Sequence, residues 1–126
     1  MQMTQSFKEI VAWQKAHAFV IQVYQACALF PAHERYGLCS QFERAAVSIA
    51  ANIVEGYRKD GIADKLRFLN ISQGSLEECR YYILLSRDLG YIDNTSFDSL
   101  NTEIEKVSRF INAYCKGIID NSSIAD

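Results

Sequence analysis

Residues that interrupt helices are scarce in this chain, which has one proline and six glycines among 126 residues. This scarcity favours long helices over many short strands joined by turns. Only two histidines are present, and the four cysteines, Cys27, Cys39, Cys79 and Cys115, form no Cys-x-x-Cys pair. We therefore expect no zinc site, and in a reducing compartment the cysteines should be buried free thiols.

The chain also lacks a large excess of charge of one sign, and it lacks long apolar runs. Thirteen basic residues against 15 acidic residues give a net charge of −2, without the basic excess typical of nucleic-acid binding. No apolar run approaches the roughly 18 residues of a membrane span, and residues 1–6 lack the layout of a signal peptide. We expect a cytoplasmic protein that contacts no membrane.

Start and stop signals divide the chain into helices. Ser6 and Glu9 have capping-box spacing, Pro31 ends the first helix, Gly61 marks a turn, and Gly90 is a candidate C-cap. The predicted helices span about 7–29, 38–58, 62–88 and 95–118, followed by a frayed tail at 119–126. Their short connections predict an all-α fold, a single antiparallel up-down-up-down four-helix bundle over residues 1–126.

Apolar residues cover more of this bundle than one core needs. The fourth helix has a single heptad seam, at Phe97, Leu100, Ile104, Val107, Ile111, Tyr114 and Ile118. The first helix has two neighbouring stripes, one at Ile10, Trp13, Val20, Tyr24 and Cys27, the other at Val11, Ala18, Ile21 and Ala28. The third helix is similarly broad. Such helices have neighbours on two sides, so we expect the protein to form a homo-oligomer.

A polar seam is predicted between the second and third helices. Its members share helical spacing: Gln41, Arg44, Ser48, Asn52 and Glu55 on one helix, and Arg67, Asn70, Gly74 and Glu78 on the other. Antiparallel pairing about Gly61 predicts four contacts: Arg44 with Glu78, Ser48 with Gly74, Asn52 with Asn70, and Glu55 with Arg67. A close approach of Ser48 would explain a glycine in mid-helix, and Gly74→Leu should then lower the melting temperature sharply.

Two interpretations of this seam remain open. A satisfied polar network that fixes the register of the two helices is the structural interpretation, and we favour it. The functional interpretation is a binding face or, with less support, a catalytic cluster built on Ser48, Asn52 and Glu55.

Common cofactor chemistry is not indicated. A di-iron bundle needs Glu-x-x-His on two helices, but Gln14 and Phe30 stand three residues before the two histidines. A zinc-protease helix is also not indicated, because Gly37 follows His33 where the second histidine belongs. We expect no catalytic residues, no metal, no cofactor and no small-molecule substrate.

A basic set surrounds the second turn: Arg58, Lys59, Lys65 and Arg67. Asp60 and Asp64 interrupt it. This pattern is more typical of a solvated end of the bundle than of a phosphate site, but it supplies the candidate nucleic-acid contacts.

Several motifs together resemble a known family. They are Trp13-Gln14-Lys15-Ala16, Phe30-Pro31, Glu34-Arg35-Tyr36-Gly37-Leu38, Arg44-Ala45-Ala46-Val47-Ser48-Ile49, Asn52-Ile53-Val54-Glu55-Gly56, Phe68-Leu69-Asn70-Ile71, Gly74-Ser75-Leu76-Glu77-Glu78 and Leu89-Gly90-Tyr91. Over about residues 7 to 118 the chain resembles the bacterial four-helix-bundle family named after the 23S ribosomal RNA intervening-sequence protein. The resemblance implies homopentamers around a central channel and no established enzymatic activity. A relative of similar fold, the accessory protein of diversity-generating retroelements, binds nucleic acid and a reverse transcriptase, but it is strongly basic.

Three hypotheses about function follow. The first is a non-enzymatic homo-oligomeric scaffold or adaptor, associated with ribosomal RNA or a ribonucleoprotein. The second is a direct nucleic-acid-binding accessory to an enzyme such as a reverse transcriptase. The third is an enzyme that uses the polar seam, which requires those side chains to face an open pocket.

Overall fold

The protein is an antiparallel four-helix bundle. A computed structural model describes residues 6–125, apart from the side chains of residues 122–125. The helices are α1 (Val11–Cys27), α2 (Leu38–Arg58), α3 (Ile62–Asp88) and α4 (Asn94–Ala125). Within the described chain each helix packs against two others, and no Cα atoms of α1 and α3, or of α2 and α4, come within 8 Å of each other. The four helices therefore occupy the corners of a square, with α1–α4 and α2–α3 as opposite sides.

The start of the chain departs from the predicted helix at 7–29. Ser6 does cap, and its hydroxyl accepts a hydrogen bond from the Lys8 amide at 3.1 Å, but it caps a 3-10 turn at Phe7–Glu9. Ile10 is then extended (φ −76°, ψ 118°), and its buried side chain enters the core. The α-helix consequently begins at Val11 and ends at Cys27.

The core takes one stripe from each helix. In α4 the predicted seam is confirmed, because Leu100, Ile104, Val107 and Ile111 are all at most 2% exposed. In α1 the buried stripe is Ala12, Ala16, Phe19, Val23 and Cys27, which shares Cys27 with the first predicted stripe and lies on the side of it away from the second. The second predicted stripe faces outward on the single chain, with Val11 44% and Ile21 47% exposed.

A glycine ends α3 as predicted. Gly90 has φ +79°, a left-handed conformation that glycine adopts without a steric penalty. The Tyr91 amide donates to the Ser86 carbonyl and the Gly90 amide to the Arg87 carbonyl, both at 2.9 Å. These two bonds are a Schellman motif. Asp93, three residues after Gly90, caps the start of α4, since its carboxylate accepts from the Ser96 amide at 2.8 Å.

Helix α4 is longer than predicted. It continues to Ala125, so residues 119–125 are helical and the predicted frayed tail is wrong there; residue 126 lies outside the described residues. Ile118 still packs against the core, and Lys116 pairs with Asp120 at 2.8 Å, four residues along the helix.

Among the described residues, no helix combines the length and hydropathy needed to span a membrane.

Candidate functional site

Small hydroxyl residues set the register of α2 against α3. The Ser75 hydroxyl donates to the Ser48 hydroxyl at 2.8 Å, and the fully buried Ser72 donates to the Ile49 carbonyl at 2.8 Å. Ser48 therefore faces Ser75, the residue next to its predicted partner, Gly74. The two helices run antiparallel and lie close together, because the residues between them are small.

A solvent-open crevice of about 380 Å³ lies outside this contact. Its lining is mainly polar: Gln41, Arg44, Ala45, Ser48, Ser75, Glu78 and Tyr82. The Tyr82 hydroxyl donates to Glu78 Oε2 at 2.7 Å and lies 3.1 Å from Gln41 Oε1. Burial and the bond to Glu78 raise the pKa of Tyr82 to about 12, so its hydroxyl stays a donor at neutral pH.

The predicted close approach at Gly74 is wrong. A β-carbon built on Gly74 meets nothing within 4 Å, and the residue is exposed, so the basis for expecting a destabilised Gly74→Leu is lost. The close approach is at Gly56, where a β-carbon would come 3.2 Å from the Lys65 carbonyl oxygen. Gly74 points away from α2 because Ser72 and Ser75, on either side of it, take the positions against that helix.

The predicted ion pairs across the seam do not form. Arg67 pairs with Asp64 on its own helix at 3.5 Å, and Glu78 accepts from Tyr82. Within residues 6–121, neither Arg44 nor Glu55 has an ion-pair partner.

The predicted amide contact is missing as well. The Asn52 side chain donates to the Ser48 carbonyl and hydroxyl at 2.9 and 3.1 Å, and Asn70 is exposed. Residues such as Ala45, Ala46 and Ile53 fill the contact with the core instead. The polar seam is thus an outer face of the bundle, on which Arg44, Glu55 and Asn70 make no side-chain hydrogen bond or ion pair among the described residues.

Within residues 6–121, no histidine or carboxylate is hydrogen-bonded to the Ser48 hydroxyl. Its described partners are the Ser75 hydroxyl and the Asn52 amide. His17 stacks on Trp13, with 5.0 Å between ring centroids, and His33 lies 3.3 Å from the Tyr91 hydroxyl at one end of the bundle. Proton abstraction from a serine needs a base within hydrogen-bond reach. Neither histidine is a hydrogen-bond partner of Ser48 among the described residues.

The basic set at the α2–α3 turn serves several purposes. Lys65 Nζ donates to the Tyr57 carbonyl at 2.8 Å and lies 3.4 Å from the Gly56 carbonyl, so it stabilises the negative end of α2. Arg58 pairs with Asp60 at 3.8 Å, and both side chains are exposed. Lys59 and Arg67 instead lie over the Phe68 ring, 5.0 and 4.7 Å from its centroid.

A second crevice, of about 530 Å³, lies where α1 ends and α2 begins, and no sequence pattern predicted it. Its lining includes Tyr24, Arg35 and Glu43, together with two thiols. Cys39 Sγ lies 3.6 Å from the Cys27 carbonyl oxygen, and burial raises the pKa of both thiols. No signal in the spacing of these cysteines predicted their contact. All four cysteines are free thiols, three of them buried.

Comparison with known proteins gives the family. Residues 8–113 match the family described as 23S rRNA-intervening sequence protein. The chain belongs to this family.

A solved structure has the same fold as this 23S rRNA-intervening sequence family member. It is the crystal structure of a protein with unknown function from the S23 ribosomal protein family of Bacteroides thetaiotaomicron. The TM-score is 0.78 at 22% sequence identity, and the match covers 84% of this chain and 96% of the other. At this identity the likeness shows the fold alone. The comparison with curated proteins gave no match.

Proposed function

We propose that this protein is a non-enzymatic homo-oligomeric scaffold or adaptor. One observation carries the proposal: the second apolar stripe of α1, at Val11, Ala18, Ile21 and Ala28, is exposed on the single chain. Leu29, next to this stripe, is 84% exposed. Exposed apolar surface of this kind is typical of protein–protein contact, because burying it removes an unfavourable contact with water.

The polar face of α2 and α3 supports an adaptor role. Arg44 and Glu55 lie on it without an ion-pair partner among the described residues, so both can pair with groups on another molecule. Small polar side chains and unpaired charges are typical of the rim of an interface.

The resemblance suggests a pentamer, and the family's name suggests a partner. On the basis of that name, we propose that the oligomer associates in the cytoplasm with ribosomal RNA or a ribonucleoprotein.

Light scattering behind a sizing column tests self-association. We expect a mass several times the 14.3 kDa of the chain at micromolar concentration. A monomer under these conditions would contradict the proposal. Purification from the native host, followed by identification of the protein and RNA that travel with it, tests the adaptor role.

A second candidate function is direct nucleic-acid binding, as an accessory to an enzyme such as a reverse transcriptase. The observation that favours it is the pair of cations, Lys59 and Arg67, on the Phe68 ring at the α2–α3 turn. Repetition around an oligomer would multiply this small basic site. Affinity for single-stranded RNA should then fall steeply between low and moderate salt, and Lys59→Ala should weaken it. The control is Lys116→Ala, which replaces an exposed lysine on α4.

A further inference from the structure

Two cysteines meet where α1 ends and α2 begins. Cys27 is the last residue of α1, and Cys39 is the second residue of α2. Cys39 Sγ donates to the Cys27 carbonyl oxygen at 3.6 Å, and the two thiols are also hydrogen-bonded to each other. The sulfur atoms are therefore neighbours. Helix packing brings them together, since the two cysteines are on different helices and form no Cys-x-x-Cys motif.

The crevice of about 530 Å³ gives small molecules access to this pair. Cys27 and Cys39 both line it, and each residue is 6% exposed. Arg35 lies in the same lining and offers a positive charge to the carboxylates of an anionic reagent. Cys79, in contrast, is 0% exposed in the core. A small reagent can therefore reach the pair without unfolding the bundle, whereas it cannot reach Cys79.

The loop between the two cysteines is short and already held in place. It comprises residues 28–38. Within it, Glu34 accepts from the Leu38 amide at 3.1 Å and from the Tyr91 hydroxyl at 2.7 Å. A bond between the two sulfurs would remove freedom from the unfolded chain, whereas in the folded chain those atoms are neighbours already. Such a bond should consequently stabilise the bundle.

We propose that Cys27 and Cys39 are a site of reversible oxidation, at which a small disulfide such as oxidised glutathione converts the two thiols to a disulfide bond. The Cys39 thiolate attacks one sulfur of the reagent, forms a mixed disulfide and releases one glutathione thiolate. Cys27 then gives up its proton and its sulfur attacks Cys39 Sγ, which releases the second glutathione thiolate. The protein loses two electrons and two protons, and the reagent takes them up as two thiols.

The surroundings of the pair set the order and the speed of these steps. Only a thiolate attacks a disulfide, and burial raises the pKa of both thiols. The Cys39 thiol raises the pKa of Cys27 further, whereas the hydrogen bond with Cys27 acts in the opposite direction on Cys39, so Cys39 reacts first. The negative charge of Glu43 in the crevice opposes both thiolates. Brief contact with the reagent should therefore leave the pair reduced, and sustained contact should form the bond.

Disulfide mapping of the folded protein tests the site. The reduced protein is incubated for hours with excess oxidised glutathione at mildly alkaline pH, and the remaining thiols are alkylated before unfolding. Trypsin cleaves after Arg35, which leaves Cys27 in peptide 16–35 and Cys39 in peptide 36–44. The other two cysteines fall in separate peptides. We expect these two peptides linked to each other as the main product, in a chain that is lighter than the reduced one by two hydrogen atoms.

Serine variants test the order of the steps. Cys27→Ser should stop at the mixed disulfide, with one glutathione on peptide 36–44, because the second thiol is missing. Cys39→Ser should leave Cys27 unmodified over the same period. Cys115→Ser, on α4, is the control and should keep the linked peptides. Circular dichroism checks that each variant is folded, and alanine replaces serine where it is not.

Thermal unfolding provides an independent measurement. The oxidised protein should melt about 10 °C higher than the reduced protein, and dithiothreitol should abolish the difference. Four free thiols after prolonged oxidation, a mixed disulfide that persists in the unaltered protein, or a linkage through another cysteine or another chain would overturn the proposal. An oxidised protein that melts lower than the reduced one would overturn it as well, since the fold would then oppose the bond.

Discussion

Gly56 of α2 lies against the backbone of α3, so that a β-carbon on it would stand 3.2 Å from the carbonyl oxygen of Lys65. The same atom would lie 3.4 Å from Phe68 Cβ and 3.6 Å from Leu69 Cγ. Helices α2 and α3 share the largest helix–helix contact of the bundle. The close approach at Gly56 and the serine bonds further along α2 hold this pair together.

A larger side chain at Gly56 should destabilise the bundle. We expect Gly56→Leu to lower the free energy of unfolding by about 2 kcal/mol, because the added atoms must displace backbone of α3. Urea denaturation measures the change. Gly117→Ala on α4 is the control, since a β-carbon there meets nothing within 4 Å, and it should raise the free energy of unfolding by about 1 kcal/mol through helix propensity. Equal effects of the two substitutions would contradict the close approach.

Two fully buried serines of α3 should respond oppositely to alanine. Ser72 donates to the Ile49 carbonyl, so Ser72→Ala should lower the free energy of unfolding by about 1 kcal/mol. The Ser86 hydroxyl has no hydrogen-bond partner among the described atoms. Ser86→Ala should therefore raise that free energy by about 1 kcal/mol, because an unsatisfied buried hydroxyl is removed. Thermal and urea unfolding of the two variants provide the comparison, and a loss of similar size at both positions would count against this account.

The contact of Lys65 with the end of α2 should contribute more to the free energy of unfolding than the exposed side chain of Arg58 does. Lys65→Met removes the charge and the bond to the Tyr57 carbonyl, and should lower the free energy of unfolding by about 0.5–1 kcal/mol. Arg58→Met is the control, because an ion pair between exposed groups such as Arg58 and Asp60 contributes little. High salt should reduce the difference between the variants; a difference that grows with salt would be inconsistent with a dipole effect.

The bond between Tyr91 and Glu34 should make stability depend on pH. Tyr91 donates to Glu34 Oε2 at 2.7 Å, and this bond, with the Leu38 amide, holds the pKa of Glu34 below its usual value. A carboxylate with a lowered folded pKa stabilises the protein above its unfolded pKa, and this contribution is lost as the pH falls through the folded pKa.

Tyr91→Phe should therefore be less stable than the unaltered protein at pH 7, and the difference should shrink toward pH 3. Urea unfolding at both pH values measures it. Tyr36→Phe, at a residue that is 90% exposed, should show no such pH dependence. A Tyr91→Phe deficit that is the same at pH 3 and pH 7 would exclude the link to Glu34.

Local chemistry made much of the fold predictable. The bounds of α2 and α3 coincide with those predicted, because a turn at Gly61 and a cap at Gly90 are encoded by short sequence signals. The heptad seam of α4 was readable for the same reason, since helical periodicity is local. The end of α4 was not predictable from local signals. A helix without a strong breaker continues while its residues still pack, and Ile118 still packs against the core.

The outer face of α2 and α3 shows where sequence reasoning failed. Helical spacing placed Arg44, Ser48 and Glu55 on one side of α2, which is correct as a statement about that helix. Spacing does not say how far the helix is rotated about its axis, and the burial of residues such as Ala45 and Ile49 turned the polar side chains toward the outside of the bundle. The predicted ion pairs failed for this reason.

The sequence by itself determined the helices, their antiparallel order and the presence of more apolar surface than one bundle buries, because each depends on neighbouring residues and short connections. Tertiary structure alone decided how each helix is turned. That rotation placed Gly56 rather than Gly74 against the partner helix, exposed Val11 and Ile71 on opposite sides, and left Arg44 without an ion-pair partner within residues 6–121. It follows from the packing of all four helices at once, which no local pattern contains.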